Sequence, residues 1–267
     1  MTVPLIVCGA AGRMGRALIR LIHEDPNAHL HAAVESRGNS AIGDDAGVLA
    51  GVGAIGVAVG ESYAAVATPA TVALDFTTPE ASLAHLRAAA EIGAGIAIGT
   101  TGFDSAQRAE LERLAGETRT VISSNMSIGV NVLLKLVRDA AAALREGFDP
   151  EIVEMHHRNK VDAPSGTALS LGRAVADGMR RDFEHDAVLS RAGMVGARTD
   201  REIGIMTLRG GDVVGDHTVL FAGSGERLEL THRAQSRDCL ARGAVRAGLW
   251  LADRKPGLYG MADVLGL

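Results

Sequence analysis

The first half of the chain alternates between short, almost wholly apolar runs and longer stretches in which apolar residues return every third or fourth position. Leu5-Ile6-Val7-Cys8, Val72-Ala73-Leu74-Asp75-Phe76, Gly95-Ile96-Ala97-Ile98 and Thr120-Val121-Ile122 read as buried strands, and His29 to Val34 as another. Between them, Met14, Leu18, Leu21 and Ile22 mark a helical stripe, and Glu80 to Glu91 and Ser105 to Glu117 are further helices. Repeated strand–helix alternation predicts a Rossmann-like, doubly wound parallel α/β sheet. Small polar residues follow each strand, where such sheets bind their ligands.

After Met126 the pattern changes. Ile128 to Leu144 is helical, with Val130, Leu133, Leu134, Val137 and Ala141 on one side, and Pro150 to Met155 is a strand. Ala168, Leu171, Val175 and Met179 then recur at helical spacing behind Ser165, a good N-cap residue. Ile203 to Leu208, Val213 to Ala222 and Arg227 to Ala234 read as strands joined by Gly210-Gly211-Asp212 and Gly223-Ser224-Gly225-Glu226. Such short glycine turns favour an antiparallel meander, and the alternation in Arg227 to Arg233 would bury its leucine face. A last helix runs around Cys239 to Leu251.

The first strand feeds directly into Gly9-Ala10-Ala11-Gly12-Arg13-Met14-Gly15, and the second ends at Glu35. Strand, glycine turn, helix, strand and acid is the order of a dinucleotide-binding unit. The glycines let the backbone approach a pyrophosphate, the helix N-terminus holds it, and a carboxylate about twenty residues on accepts from the adenosine ribose. The spacing is G-x-x-G-x-x-G, not the commoner G-x-G-x-x-G, so the surrounding elements carry the assignment more than the glycines do.

Composition narrows the setting. The chain has 267 residues, 47% of them hydrophobic and only 3% aromatic, ample for a large core built from small aliphatic residues. A net charge of −5 argues against nucleic acid or an anionic membrane as partner, so an anionic substrate needs a local cationic patch. Two cysteines, Cys8 and Cys239, have no metal spacing and give no disulfide framework. With no leader pattern and no apolar run long enough to span a bilayer, a cytoplasmic protein without a bound metal is expected.

The densest chemistry lies in Glu154-Met155-His156-His157-Arg158-Asn159-Lys160-Val161-Asp162-Ala163-Pro164-Ser165-Gly166-Thr167-Ala168. Either histidine titrates near neutrality and could carry a proton, and Lys160 offers a point charge for a carboxylate. The helix start at Ser165 adds unpaired N–H groups and a positive dipole end. Two adjacent histidines at a strand end are most often structural. Joined to Lys160, Arg158 and a helix start, they describe a site for a small carboxylate substrate with a proton donor over it.

This run resembles the signature of the 4-hydroxy-tetrahydrodipicolinate reductase (dihydrodipicolinate reductase) family, and Gly9 to Gly15 and Gly99-Thr100-Thr101-Gly102 are similar to its cofactor segments. The resemblance covers essentially the whole chain. It implies a dinucleotide-binding domain formed by residues 1–126 plus 238–267, with residues 127–237 inserted as an α+β domain for substrate binding and for assembly into a homotetramer. It implies His156 as proton donor or relay, Lys160 as its partner near the substrate, and His157, Gly166, Thr167 and, more weakly, Arg237 as substrate contacts. Cofactor contacts would come from Gly9, Ala10, Ala11, Gly12, Arg13, Met14, Glu35, Ser36, Arg37, Gly99, Thr100, Thr101, Ser123, Ser124, Asn125 and Met126. Asp75-Phe76-Thr77-Thr78-Pro79 is a further cofactor-side candidate.

The family often has Arg directly after the ribose-binding acid, whereas here Ser36 follows Glu35 and Arg37 comes one position later. Both NADH and NADPH are therefore expected to serve, in reduction of a small cyclic dicarboxylate during lysine and diaminopimelate synthesis. Two alternatives remain at the level of sequence: a different nicotinamide-dependent dehydrogenase of amino or keto acids, and a non-catalytic nucleotide-sensing protein.

Overall fold

The computed structural model describes residues 2–267, and the chain forms two compact units. The first runs up to Ile128 and resumes with Asp238–Leu267; the second is Gly129–Arg237. In chain order the elements are β1 (Val3–Cys8), α1 (Arg13–Glu24), β2 (Ala28–Val34), α2 (Ala46–Ala50), β3 (Val59–Gly60), α3 (Tyr63–Val66), β4 (Val72–Asp75), α4 (Pro79–Ile92), β5 (Gly95–Ile98), α5 (Ser105–Ala115) and β6 (Arg119–Ile122). There follow α6 (Ile128–Ala143), β7 (Phe148–His156), α7 (Gly166–Met179), α8 (Phe183–Asp186), β8 (Ala187–Val188), β9 (Ile203–Arg209), β10 (Gly215–Gly223), β11 (Arg227–Ala234), α9 (Asp238–Leu251), β12 (Gly257–Tyr259) and α10 (Met261–Leu265).

The first unit is a parallel sheet in the order β12-β6-β5-β4-β1-β2-β3. Its central strands β1, β4 and β5 lack a polar face because both faces are covered. Leu5 and Val7 point into a core shared with Leu18 and Ile22 of α1 and Ala244 and Leu251 of α9. Ile6 and Cys8, on the opposite face, pack with Leu86 of α4 and Leu111 and Leu114 of α5. Each fully buried leucine or isoleucine contributes roughly 1.5–3 kcal/mol of transfer free energy, which explains the unbroken apolar runs. The strand order reverses between β1 and β4. That is the switch point, where the carboxyl ends diverge and open a crevice.

The second unit is a mixed sheet in the order β11-β10-β7-β9-β8, whose inner face packs on α6 and α7. Leu133 and Val137 of α6, Leu171 and Val175 of α7, Ile152 of β7, Ile205 of β9 and Val219 and Phe221 of β10 make its core. Here the expected meander is corrected. β10 is antiparallel to both β7 and β11, but β9 lies parallel to β7 on the far side and does not pair with β10. The physical reason is α7: its apolar stripe must be buried, and a strand–helix–parallel strand crossover from β7 to β9 lays the helix on the sheet. The leucine face of β11 is also less covered than alternation suggests, since Leu228 of this edge strand is 41% exposed.

Candidate active site

In the first unit, the turn after β1 is shaped by two close approaches. Gly9 has φ +76°, and a Cβ there would stand 3.0 Å from Thr77 Cγ2. A Cβ on Gly15 would come within 2.2 Å of the Gly9 carbonyl oxygen, so α1 packs directly on the turn. Gly12 caps α1 without a side-chain hydrogen bond, whereas Thr78, Asp104 and Ser165 cap α4, α5 and α7 through their side chains. An uncapped helix start facing a glycine turn has room and donors for a phosphate.

Beside this turn lies a cavity of about 580 Å³, with Gly9, Gly12, Glu35, Ser36, Thr77 and His85 in its wall. The Glu35 carboxylate accepts from the Ala11 N–H at 3.0 Å and from the Ser36 N–H at 2.9 Å, so it already sits at the mouth of the helix. Thr100, Thr101, Ser123 and Ser124 line a second cavity of about 570 Å³ beyond β5 and β6. The segments expected at the cofactor therefore gather at the carboxyl ends of the strands, in two groups. Arg13 and Arg37 are exposed, Met14 is half-buried, and Gly99 is half-buried at the end of β5. Asn125 accepts from the Ser127 N–H at 2.9 Å. Ala10 and Met126 are wholly buried in the core, so only their backbones are available to a ligand.

The sequence reading passed over Asn39, Glu61 and His85, which also line the first cavity. His85 had a signal in the periodicity of α4, since it is a polar residue adjoining the buried Ser82, Leu83 and Leu86. Its Nδ1 lies 2.6 Å from Asp75, which is fully buried at the end of β4. Asp75 also accepts from Thr77 N–H at 2.9 Å, Thr77 Oγ1 at 2.6 Å and Ser82 Oγ at 3.0 Å. Burial raises its pKa, but the His85 and Thr77 hydrogen bonds outweigh that and hold it below the ordinary carboxylate range.

Cys8, Asp75 and His85 bring ligand-type atoms within 4.8 Å of one another. Asp75 is already satisfied, and burial, with Asp75 and Glu35 nearby, pushes the Cys8 thiol well up, so the cluster packs as a neutral thiol beside a hydrogen-bonded histidine and carboxylate.

In the second unit, β7 delivers the histidine run to the start of α7. His156 is buried, and its Nδ1 lies 2.6 Å from Oε2 of Glu154, two residues earlier on the same face of the strand. Arg209 Nη1 donates to Oε2 at 2.9 Å, while Thr207 Oγ1 and the Ser165 N–H donate to Oε1 at 3.2 and 3.1 Å. Register places these groups, since β7 pairs with β9 so that Glu154 faces Thr207 and His156 faces Arg209. Burial pushes the Glu154 pKa up, yet the hydrogen bonds from Arg209, His156 and Ser165 leave it below the usual value.

Ser165 caps α7 by accepting from the Ala168 N–H at 3.2 Å, and its Oγ also meets His217 Nε2 at 3.1 Å. The His217 ring stands edge-on to that of His156, 5.1 Å between centroids. Burial and the charge of His156 push the pKa of His217 down to about 4. Lys160 is held by Asp162, Nζ to Oδ1 2.8 Å, an ion pair that spacing did not reveal. Gly166 is exposed and Thr167 half-buried in the first turn of α7; His157 is half-buried and Arg237, at the end of the unit, is exposed. His156, the α7 start and the Lys160 loop thus form one cluster, with Glu154, Arg209 and His217 as members the sequence did not single out.

A parallel sheet reversing at β1/β4, a glycine turn against an uncapped helix and a buried histidine–carboxylate pair in a second α/β unit define a Rossmann-type oxidoreductase. Family models described as dihydrodipicolinate reductase, N-terminus and C-terminus, match residues 3–126 and 129–265. Proteins from Alkalilimnicola ehrlichii and Thiobacillus denitrificans, both named 4-hydroxy-tetrahydrodipicolinate reductase, are each 52% identical over 267 residues, covering all of both chains. A dipicolinate-bound dihydrodipicolinate reductase from Paenisporosarcina sp. TG-14 shares the fold, with a TM-score of 0.76 at 24% identity over 98% of this chain and 99% of that one. The chain belongs to the dihydrodipicolinate reductase family of oxidoreductases. Membership implies a nicotinamide cofactor, and the glycine turn, the open start of α1 and Glu35 fit one. Among the described residues, no helix is long and apolar enough to cross a membrane.

Proposed function

We propose that the chain reduces 4-hydroxy-tetrahydrodipicolinate to tetrahydrodipicolinate with NADH or NADPH, in lysine and diaminopimelate synthesis. The reaction consumes one reduced nucleotide and one proton and releases water. The observation that carries this reading is the buried His156–Glu154 pair beside the start of α7, a proton donor next to an anion-binding helix end.

When bound, the reduced nicotinamide supplies a hydride to the substrate ring. Gly9–Gly15 and the start of α1 would hold the nucleotide pyrophosphate, and Glu35, which accepts from the Ala11 N–H, would accept from the adenosine ribose. Gly99, Thr100, Thr101 and the Ser123–Met126 segment line the remainder of the nucleotide. A free 2′-hydroxyl suits Glu35, and exposed Arg37 meets a 2′-phosphate, so both nucleotides serve. His156 delivers a proton to the ring carbon beside the one reduced. Lys160, released from Asp162, and the Gly166-Thr167 backbone take the substrate carboxylates, with His157 and Arg237 completing the contacts.

Residues 1–126 with 238–267 bind the nucleotide, and 127–237 bind substrate and join four subunits through the open sheet face, in the cytoplasm. The deciding assay follows oxidation of NADH and NADPH with the condensation product of pyruvate and aspartate semialdehyde. Nucleotide binding without oxidation would favour a sensor, and oxidation only with amino or keto acids another dehydrogenase.

A further inference from the structure

We propose that Glu154 is a positioning residue of the reaction: it fixes the His156 imidazole with a proton on Nδ1 and balances its positive form, so that Nε2 is the nitrogen that gives up the proton. This rests on His156 being the donor.

The Glu154 carboxylate meets four donors. Arg209 and His156 Nδ1 meet Oε2, and Thr207 and the Ser165 amide meet Oε1. A carboxylate so surrounded accepts only, and hydrogen on Nδ1 is the sole state of His156 that makes the 2.6 Å contact a hydrogen bond. Arg209 cannot give up its charge, so Glu154 stays ionised whether or not His156 has released its proton. Arg209 is itself fixed, donating to the carbonyls of Leu208 at 2.7 Å and Asp162 at 2.6 Å.

The other side of the ring has been cleared. A Cβ on residue 215 would stand 2.9 Å from His156 Nε2, and the chain has glycine there. The nearest ring, His217, is neutral at pH 7 and does not repel the imidazolium. A carboxylate whose only task was bracing α7 through Ser165 would need neither the short bond to His156 nor the arginine beside it.

The test is heteronuclear NMR on protein labelled with 15N-histidine, the His156 signals being assigned by their loss in His156→Gln. Above the titration of His156, the wild type should show Nδ1 protonated and Nε2 bare; a dominant Nε2–H form would overturn the proposal. Only the assignment uses a variant, and the reading does not depend on Glu154→Gln folding.

Kinetics give the second arm. Glu154→Gln should lower kcat about 10²-fold, as far as removal of a general acid–base partner goes, with KM within about threefold. The alkaline limb of its kcat profile should move to lower pH, because the carboxylate that favours the imidazolium is gone. The double variant Glu154→Gln/His156→Gln should be no slower than His156→Gln alone. A further fall of tenfold or more would show Glu154 acting independently of His156 and would end the claim. Absence of reductase activity in the wild type would instead strike the proposed function and leave the tautomer result standing.

Discussion

Two histidine–carboxylate pairs, one in each unit, share one geometry and differ in surroundings. His85 and His156 each hold a fully buried carboxylate through Nδ1 at 2.6 Å. Asp75 is otherwise served by neutral donors, Thr77, Ser82 and Thr100, so His85 is the one partner able to bring it positive charge. Glu154 has a guanidinium beside it as well. The first pair is balanced only while its histidine is protonated, and the second remains balanced when its histidine changes state. The same two groups thus make a fastening in one unit and, in the other, a pair suited to the proton transfer proposed for it.

The largest effect should come from breaking the fastening. Asp75→Ala leaves His85 and three hydroxyls facing a buried gap, and the loss of stability should be about 3–5 kcal/mol, the cost of removing one member of a buried pair. Urea unfolding followed by circular dichroism measures it; a loss below about 1 kcal/mol would show that the pair carries little weight.

Acid should distinguish the two regions next. The pKa of His217 is lower in the folded chain, about 4 against 6.5, so the unfolded chain binds more protons in that interval and stability falls as pH falls through it. The size is on the order of 3 kcal/mol, complete above pH 6.5 and lost by about pH 4. His217→Gln, which keeps a side-chain partner for Ser165, should flatten that interval. Asp75 and Glu154, whose pKa values are lowered, lose their contribution only further down, as pH falls from the ordinary carboxylate value toward their folded values. An unchanged slope between pH 6.5 and 4 in His217→Gln would show that this histidine is not the group responsible.

Replacing the histidines themselves should separate chemistry from fastening. His156→Gln should lower kcat roughly 10²-fold, about 2.7 kcal/mol of transition-state stabilisation, with KM and nucleotide affinity changed much less. His85→Gln should act on stability and nucleotide KM instead, since His85 lines the first cavity. Steady-state kinetics on both variants decides. An unchanged kcat in His156→Gln would move the proton to Lys160 or water.

How far the sequence revealed these regions follows from where their partners come from. The parallel sheet was legible because buried-strand runs and the glycine turn are local patterns, and His156 and Lys160 stood out because they are close together in one segment. Arg209 and His217 were not legible: they reach Glu154 and Ser165 through strand pairing across more than fifty residues, and no spacing encodes that register. The same ignorance of register produced the meander expectation, since a glycine turn after β9 fixes a change of direction but not which strand lies between. Asp75 was visible as part of a strand and of a cofactor-side candidate segment but not as a histidine's partner, because that role depends on His85 from the next helix. Short elements such as α2, α3, α8 and β12 had no period long enough to read.

The smallest expected difference concerns helix caps. Thr78 caps α4 with a long bond, 3.4 Å from the Ala81 N–H, and Ser165 caps α7 at 3.2 Å from the Ala168 N–H while also meeting His217 Nε2. Loss of an N-cap oxygen costs about 1 kcal/mol. Thr78→Ala should stay at or below that figure, because its bond is weak and its helix start is exposed. Ser165→Ala should cost about 1 kcal/mol more, since it also strips the hydrogen bond at Nε2 from buried His217, whose Nδ1 has no partner among the described residues. Urea midpoints at unchanged slope measure both, and equal costs would show that the serine acts as a cap alone. A larger cost at Ser165 would show that one hydroxyl holds both the start of α7 and the histidine cluster, so that the two cannot drift apart.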